Sequence, residues 1–403
     1  MDILDHIVSV FSDFTDPKKR VFFGYLLISA IIGLIWLMIV KRLSPAKAIL
    51  RFADKKVFFS ASSVTDYKIF VINRLFSFLI SPLLITQLVI ATAIFYWLHE
   101  VGFVRSGALG HVDTWIVVAL FSAVMFVLDD FTKYLVHRWM HKWPLLWAIH
   151  KTHHSATTLT PVTVYRIHPL EGVLYALRSA FAQGVAISTF IYLFGDQVDL
   201  YTIVGVNVLV FVFHITGSNL RHSHIHIGYW PWLERVFISP AQHQIHHSIA
   251  EEHYDKNFGA ALAIWDWMFG SLHLSEADKD VEFGLEPGER SDVTGLQSIY
   301  LRPIIEIGEI ILARVQNVLA LAKTLILHIL SAFRHAGKLT DPSSPQTFTC
   351  RRIKKVGMRF VESDGRIAAF SDFKVLGHFN HDRIATRFQC DQRLITGHFN
   401  GVD

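Results

Sequence analysis

Cysteine is nearly missing from this chain. Two occur in 403 residues, Cys350 and Cys390, both in the last sixty or so. That excludes a cysteine-ligated iron–sulfur centre, a CxxC pair and a disulfide framework. Charge is also scarce. Asp, Glu, Lys and Arg make up 18% of the residues and the formal balance is +4, which is no nucleic-acid footprint. The start of the chain lacks the small-residue exit site of a cleavable signal and is expected to act as a membrane anchor. What is abundant is apolar side chain: 52% hydrophobic and 13% aromatic, the composition of an integral membrane protein.

The apolar residues fall into runs. Val21–Val40 is uncharged and long enough to cross a hydrocarbon core about 30 Å thick. The loop that follows carries Lys41, Arg42, Lys47, Arg51, Lys55, Lys56, Lys68 and Arg74, which makes it cytoplasmic by the positive-inside rule. Leu75–Leu98 reads as a second span, and the loop 99–113, with Arg105 its lone basic residue, as outward-facing. Thr114 to about Val136 is a third. Leu170–Phe194 and Leu200–Thr216 are two more, forming either a transmembrane hairpin or a re-entrant pair. Residues 302–334 read as an amphipathic helix or pair in the interface, with 318–333 a further candidate span. The linker Pro342-Ser343-Ser344-Pro345 opens a polar tail with a hairpin expected around Ser363-Asp364-Gly365.

Between these runs lie four histidine groups: HRWMH at 137–141, HKTHH at 150–154, RHSHIH at 221–226 and HQIHH at 243–247. On a helix, residues three or four apart share a face. This pairs His137 with His141 and His222 with His226, and makes triplets of His150, His153, His154 and of His243, His246, His247. Ten imidazoles on four short segments can surround more than one metal ion, and imidazole suits Zn, Cu, Fe and Ni. The topology places all four groups on one membrane face, that of the basic 41–74 loop.

The pattern narrows the chemistry. Structural zinc usually takes four ligands, often cysteine. HExxH, with its glutamate base, is absent. Carboxylate-bridged di-iron bundles use Glu and ExxH, and no histidine group here contains a Glu. A two-metal site held almost wholly by neutral imidazole remains. The order HX3H, HX2HH and a late HX2HH on a polytopic chain resembles the fatty acid hydroxylase/sterol desaturase superfamily of membrane histidine-box oxygenases. The likeness spans roughly 115–275 and includes Tyr165–Glu171 (YRIHPLE), Ile238–Ser248 (ISPAQHQIHHS), Asn257-Phe258-Gly259, and Trp265-Asp266 with Phe269-Gly270.

That resemblance implies a non-haem di-iron oxidoreductase that uses O2 to hydroxylate or desaturate a lipid C–H bond. It implies two Fe ions held by His137, His141, His150, His153, His154, His222, His226, His243, His246 and His247. His224 is an alternative within the third group and His168 a further candidate ligand. Asp130 and Asp266 are expected to accept from ligand imidazoles. Asp129 is either functional or paired with Lys133. His214 is expected at a boundary, and His253 and His273 on the surface. No haem, flavin or iron–sulfur pattern is present, so electrons are expected from a separate reductase with a cytochrome or ferredoxin-type carrier. The expected architecture is all-α: a polytopic membrane bundle of about four to five spanning or re-entrant helices under a cytoplasmic His-rich cap. The expected divisions are 1–113, 114–300, 301–335 and 336–403. The cap's Trp230, Trp232, Trp265, Trp267 and Phe269 suit a membrane interface. The membrane is expected to be a bacterial inner membrane or the endoplasmic reticulum. A zinc-dependent membrane hydrolase and a metal-handling membrane protein are the competing readings; transport is disfavoured because transporters place ligands near the midplane.

Overall fold

A computed structural model describes residues 12–17, 19–80, 87–102, 104–198, 212–213, 215–216, 218–276, 281–286, 289, 295–338, 358–361 and 367–370. The chain divides into two units, 1–324 and 325–403. The described residues are mostly helical. In order come α1 (Phe23–Ile39), α2 (Pro45–Phe52), α3 (Lys55–Phe58), α4 (Ala61–Ile80), α5 (Gln87–Val101), α6 (Thr114–Lys142), α7 (Pro144–His154), α8 (Pro169–Phe194), α9 (Pro240–His246), α10 (Ile264–Met268) and α11 (Leu296–Lys338). Among the described residues α6, α8 and the Leu296–Ala332 part of α11 are long and apolar enough to cross a membrane, while Phe23–Ile39 and Leu88–Val101 are apolar but shorter.

Proline sets the boundaries that matter. α6 runs past Val136 through His137 and His141, because nothing in the sequence stops it before Pro144. The residue before a proline is pushed out of the helical region. Trp143 is accordingly extended, at φ −105° and ψ 119°, and Pro144 restarts the chain as the first residue of α7. The two histidine segments are thereby folded into one hairpin. His168 and Ser239 cap helices that begin in the same way at Pro169 and Pro240. Ser239 and Gln242 form a reciprocal capping box.

α8 packs against both α5 and α6. Phe121 of α6 meets Phe190 of α8 edge to face, with ring centroids 5.1 Å apart, and Val117, Met125, Ala186 and Phe194 complete that core. Gly184 lets α5 approach closely: a Cβ there would lie 2.8 Å from Ile90 Cγ2 and 3.1 Å from the Ala91 amide nitrogen. Small residues serve this purpose where water supplies no drive to pair helices.

Several expectations change. The 41–74 stretch is mostly helical (α2, α3 and the start of α4), with a buried polar face of Ser62, Ser63, Thr65 and Asp66. The run Leu75–Leu98 is divided between α4 and α5, and residues 81–86 lie outside the described set. So does most of Leu200–Thr216. Residues 302–334 form neither a pair nor a broken element but part of one helix that passes through Pro303. Its charges are too sparse to interrupt the apolar run, and most of its apolar side chains from Leu301 to Leu330 are exposed. In the second unit β1 (Met358–Val361) pairs antiparallel with β2 (Ile367–Phe370), with Val361 opposite Ile367; Ser363-Asp364-Gly365 lie outside the described residues. Trp230, Trp232, Trp267 and Phe269 are exposed.

Candidate metal centre

The histidines gather into two adjoining nests. His137, His141, His150, His154 and His246 form one; His153, His222, His243 and His247 form the other. Within each, one ligand-capable atom per residue lies within 4.8 Å of all the rest. The helices do the sorting. Neighbours on a helix point about 100° apart, whereas i and i+4 align. The i, i+4 pairs His137/His141 and His150/His154 therefore serve the first nest, and His243/His247 the second. The intervening i+3 residues cross over: His153 goes to the second nest and His246 to the first. The nests share a wall, where the rings of His154 and His247 stack at 4.5 Å.

In the first nest the outer ring nitrogens of His137, His150 and His246 are tied and inner ones are left open, whereas in the second the Nδ1 atoms of His153 and His243 and both nitrogens of His247 are buried without a hydrogen-bond partner. His137 Nδ1 donates to the Phe258 carbonyl and His246 Nδ1 to the Lys256 carbonyl, each at 2.8 Å. His150 Nδ1 meets Glu171 Oε1 at 2.9 Å. The buried Nε2 atoms of His141, His150, His154 and His246 have no hydrogen-bond partner. In the second nest His222 Nε2 lies 3.2 Å from His153 Nε2 and 3.0 Å from His243 Nε2. Nitrogen ligands about 2.1 Å from a shared ion sit about 3.0–3.4 Å from one another. Orphaned buried acceptors are costly without such a partner. The donor set fits two metal ions. Burial, followed by repulsion from neighbouring groups, holds the His150, His154, His222, His243 and His247 imidazoles well below their usual range, and takes His153 to about 3. Neutral imidazole is the ligating form.

A buried cage supports the nests. Asp266 accepts from the Phe258 and Gly259 amides and from Ser271 Oγ, at 2.8, 2.7 and 2.6 Å. Asp130 accepts from the Ala261 and Leu262 amides and from Trp265 Nε1. Asn257 sits in the left-handed region at φ 55°, which Asn tolerates better than most residues. Gly259 has no room for a Cβ, which would lie 2.6 Å from the Leu262 carbonyl oxygen. This loop presents the Phe258 carbonyl to His137. At the end of α7, Arg166 donates to the Thr152 carbonyl and Ser155 Oγ while paired with Asp66 at 2.7 Å; both are fully buried.

Some sequence-named residues fall elsewhere. His226 joins neither nest; it meets Gln244 Oε1 and the Glu276 carbonyl. The 222–226 segment is not helical, so four-residue spacing does not align its histidines. His224 bonds the Arg51 carbonyl. His168 accepts from the Leu170 amide and donates to the Tyr300 carbonyl, which occupies both ring nitrogens. His214 lies outside the described residues. His253 is buried against His273, a correction to its surface reading. Asp129 pairs with Lys133 at 2.6 Å and Arg178 at 2.7 Å. Asp130 and Asp266 hold the loop and touch no nest histidine. The carboxylate that does is Glu171, whose signal was an isolated acid at the head of an apolar run. The Phe258 and Lys256 carbonyls carry no sequence signal at all.

Comparison with known proteins agrees with this geometry. The fatty acid hydroxylase family model matches residues 122–271, which hold every nest histidine. The likeness to that family covers residues 122–271, fewer than half of the chain's 403. A putative Delta(7)-sterol-C5(6)-desaturase of Arabidopsis thaliana is 32% identical over 41% of this chain and 53% of its own length. An ornithine lipid hydroxylase of Rhizobium tropici is 26% identical over 40% and 44%. Human alkylglycerol monooxygenase is 28% identical over 39% and 31%. The chain thus spans about half, or less, of these relatives. No solved structure matches it significantly.

Proposed function

We propose that this chain is a membrane-bound, non-haem di-iron oxidoreductase that uses O2 and external electrons to hydroxylate or desaturate a lipid C–H bond. The observation that carries the reading is the pair of adjoining all-imidazole nests, in each of which one ligand-capable nitrogen per residue converges within 4.8 Å of the rest. His137, His141, His150, His154 and His246 would hold one iron, and His153, His222, His243 and His247 the other. When bound, the pair would supply O2 activation and removal of hydrogen from an unactivated C–H bond. The protein holds the imidazoles neutral by burial, fixes their ring planes through the Phe258, Lys256 and Glu171 acceptors, and keeps water out with a shell of buried side chains.

A lipid substrate is supported by the relatives' names and by a cavity of about 210 Å³ between α4 and the head of α8. Its walls include Phe76, Ile80, Ile167, Val173 and Ala176, which suit a stretch of acyl or sterol-like hydrocarbon. A cytoplasmic active face is supported by packing. His224 bonds the Arg51 carbonyl, and Leu220, Ile225 and Ile227 cluster with Leu37 and Ala48, so the His222 turn lies beside the basic segment. A separate reductase with a cytochrome or ferredoxin-type carrier docks there. Lipid profiling tests the reading. A strain lacking the gene should lose an oxidised lipid that the wild-type gene restores and the His246→Ala gene does not. Restoration by His246→Ala would contradict it.

A further inference from the structure

Resting on the reading of the nests as metal sites, we propose that the two sites are unequal by design: the nest of His153, His222, His243 and His247 holds its ion more weakly and releases it first, because two arginines, Arg221 buried and Arg20 half-buried, flank it, while Glu171 anchors the ion of the other nest.

The first nest is surrounded by acceptors. Glu171, 1% exposed, meets His150, and its second oxygen is buried with no hydrogen-bond partner. Among the described residues its ion-pair partner is His150 alone. A buried carboxylate with no basic side chain beside it is matched by a cation reached through that imidazole. An acceptor on Nδ1 also makes Nε2 a stronger donor to metal.

The second nest faces the opposite sign. Arg20 donates through Nη2 to the Ser218 carbonyl and through Nε to Asn219 Oδ1 at 3.2 Å, and its Nη2 stands 3.4 Å from His222 Nδ1. Arg221 is 6% exposed, reaches the Ser218 carbonyl at 3.4 Å and lies 4.8 Å from the Phe213 ring. Neither guanidinium has a carboxylate partner among the described residues.

A guanidinium has donors and no acceptor. Against it, His222 has three options. Nδ1 accepts from Arg20, so Nε2 carries the ring proton and cannot ligate. Nδ1 keeps its proton and faces a cation. Or the ring gives up both protons. Each weakens ligation by neutral Nε2, and a dication in the nest is repelled by both arginines. Arg20 lies outside the 122–271 segment that matches the family, while Arg221 and Glu171 lie inside it.

The test uses full-length, detergent-purified protein loaded anaerobically with Fe2+ and titrated at equilibrium with a ferrous chelator. Iron per chain is read by mass spectrometry. Release in two steps is expected, with midpoints about tenfold or more apart. His222→Ala should bind one ion, which leaves at the later step. Glu171→Gln should shift the later step about 10–100-fold toward weaker binding. Arg20→Gln should strengthen the early step alone, and Arg20→Lys should leave it in place. If Arg20→Gln fails to insert, the wild-type, His222→Ala and Glu171→Gln titrations still decide. One joint step for both ions, or an early step that Glu171→Gln moves and Arg20→Gln does not, would overturn the inequality while leaving two metal sites standing. A folded protein that takes up no ion would remove the metal reading itself.

Discussion

At the scale of single residues, nest membership and histidine spacing are separable. His246 and His226 both lie in histidine-rich segments, yet one opens a partnerless Nε2 into a nest and the other is spent on Gln244 and Glu276. His246→Ala should therefore lower bound iron and abolish turnover, whereas His226→Ala should keep both ions; iron per chain distinguishes them. The metal-free nests should also make stability pH-dependent. His153 titrates at about 3 when folded against 6.5 for a free imidazole, and burial holds His150, His154, His222, His243 and His247 down as well. Between these values the unfolded chain takes up protons that the folded chain refuses. Stability is then flat above pH 7 and falls as pH drops below 6.5, by about 1 kcal/mol per imidazole at pH 5.5. Melting of metal-free protein at pH 7.5 and 5.5 checks this, and no decrease at pH 5.5 would contradict it.

At the scale of elements, the legible parts were those where local rules agree. The pairings 137/141, 150/154 and 243/247 could be read from the sequence because proline-initiated or uninterrupted helices carry them. The crossing-over of His153 and His246 follows from the same helical geometry once the partner helices are known. In the third group His222 joins a nest and His226 does not, because a short 3₁₀ turn, Ser218–Arg221, gives way to irregular chain where four-residue spacing aligns nothing. Asp130 and Asp266 were sought as histidine partners, but the work of both is on the 257–262 loop, a long-range relation that spacing cannot reveal. Gly259→Ala should cost about 1–3 kcal/mol, since its Cβ would meet backbone. Asp266→Ala should cost about the same for each of the three donors left buried without an acceptor. Thermal unfolding of the metal-free variants measures both, and a melting point unchanged in Gly259→Ala would show that the loop yields.

At the scale of the whole molecule, an all-α membrane protein was legible from composition and from runs such as Thr114–Val136, which α6 contains. Less legible was the division of Leu75–Leu98 between two helices and the single length of α11, one helix from Leu296 to Lys338. The nests draw on residues 137–247 and their surroundings reach from Arg20 to Tyr300, so removing residues 340–403 should leave metal binding intact; loss of iron from that truncation would place part of the site in the tail. The measurement that bears most directly on the central claim is the metal content of detergent-purified protein, joined to iron spectroscopy on the same sample. Two irons per chain, magnetically coupled, is the result expected. Two zinc ions and no iron, in protein produced with iron at hand, would contradict it.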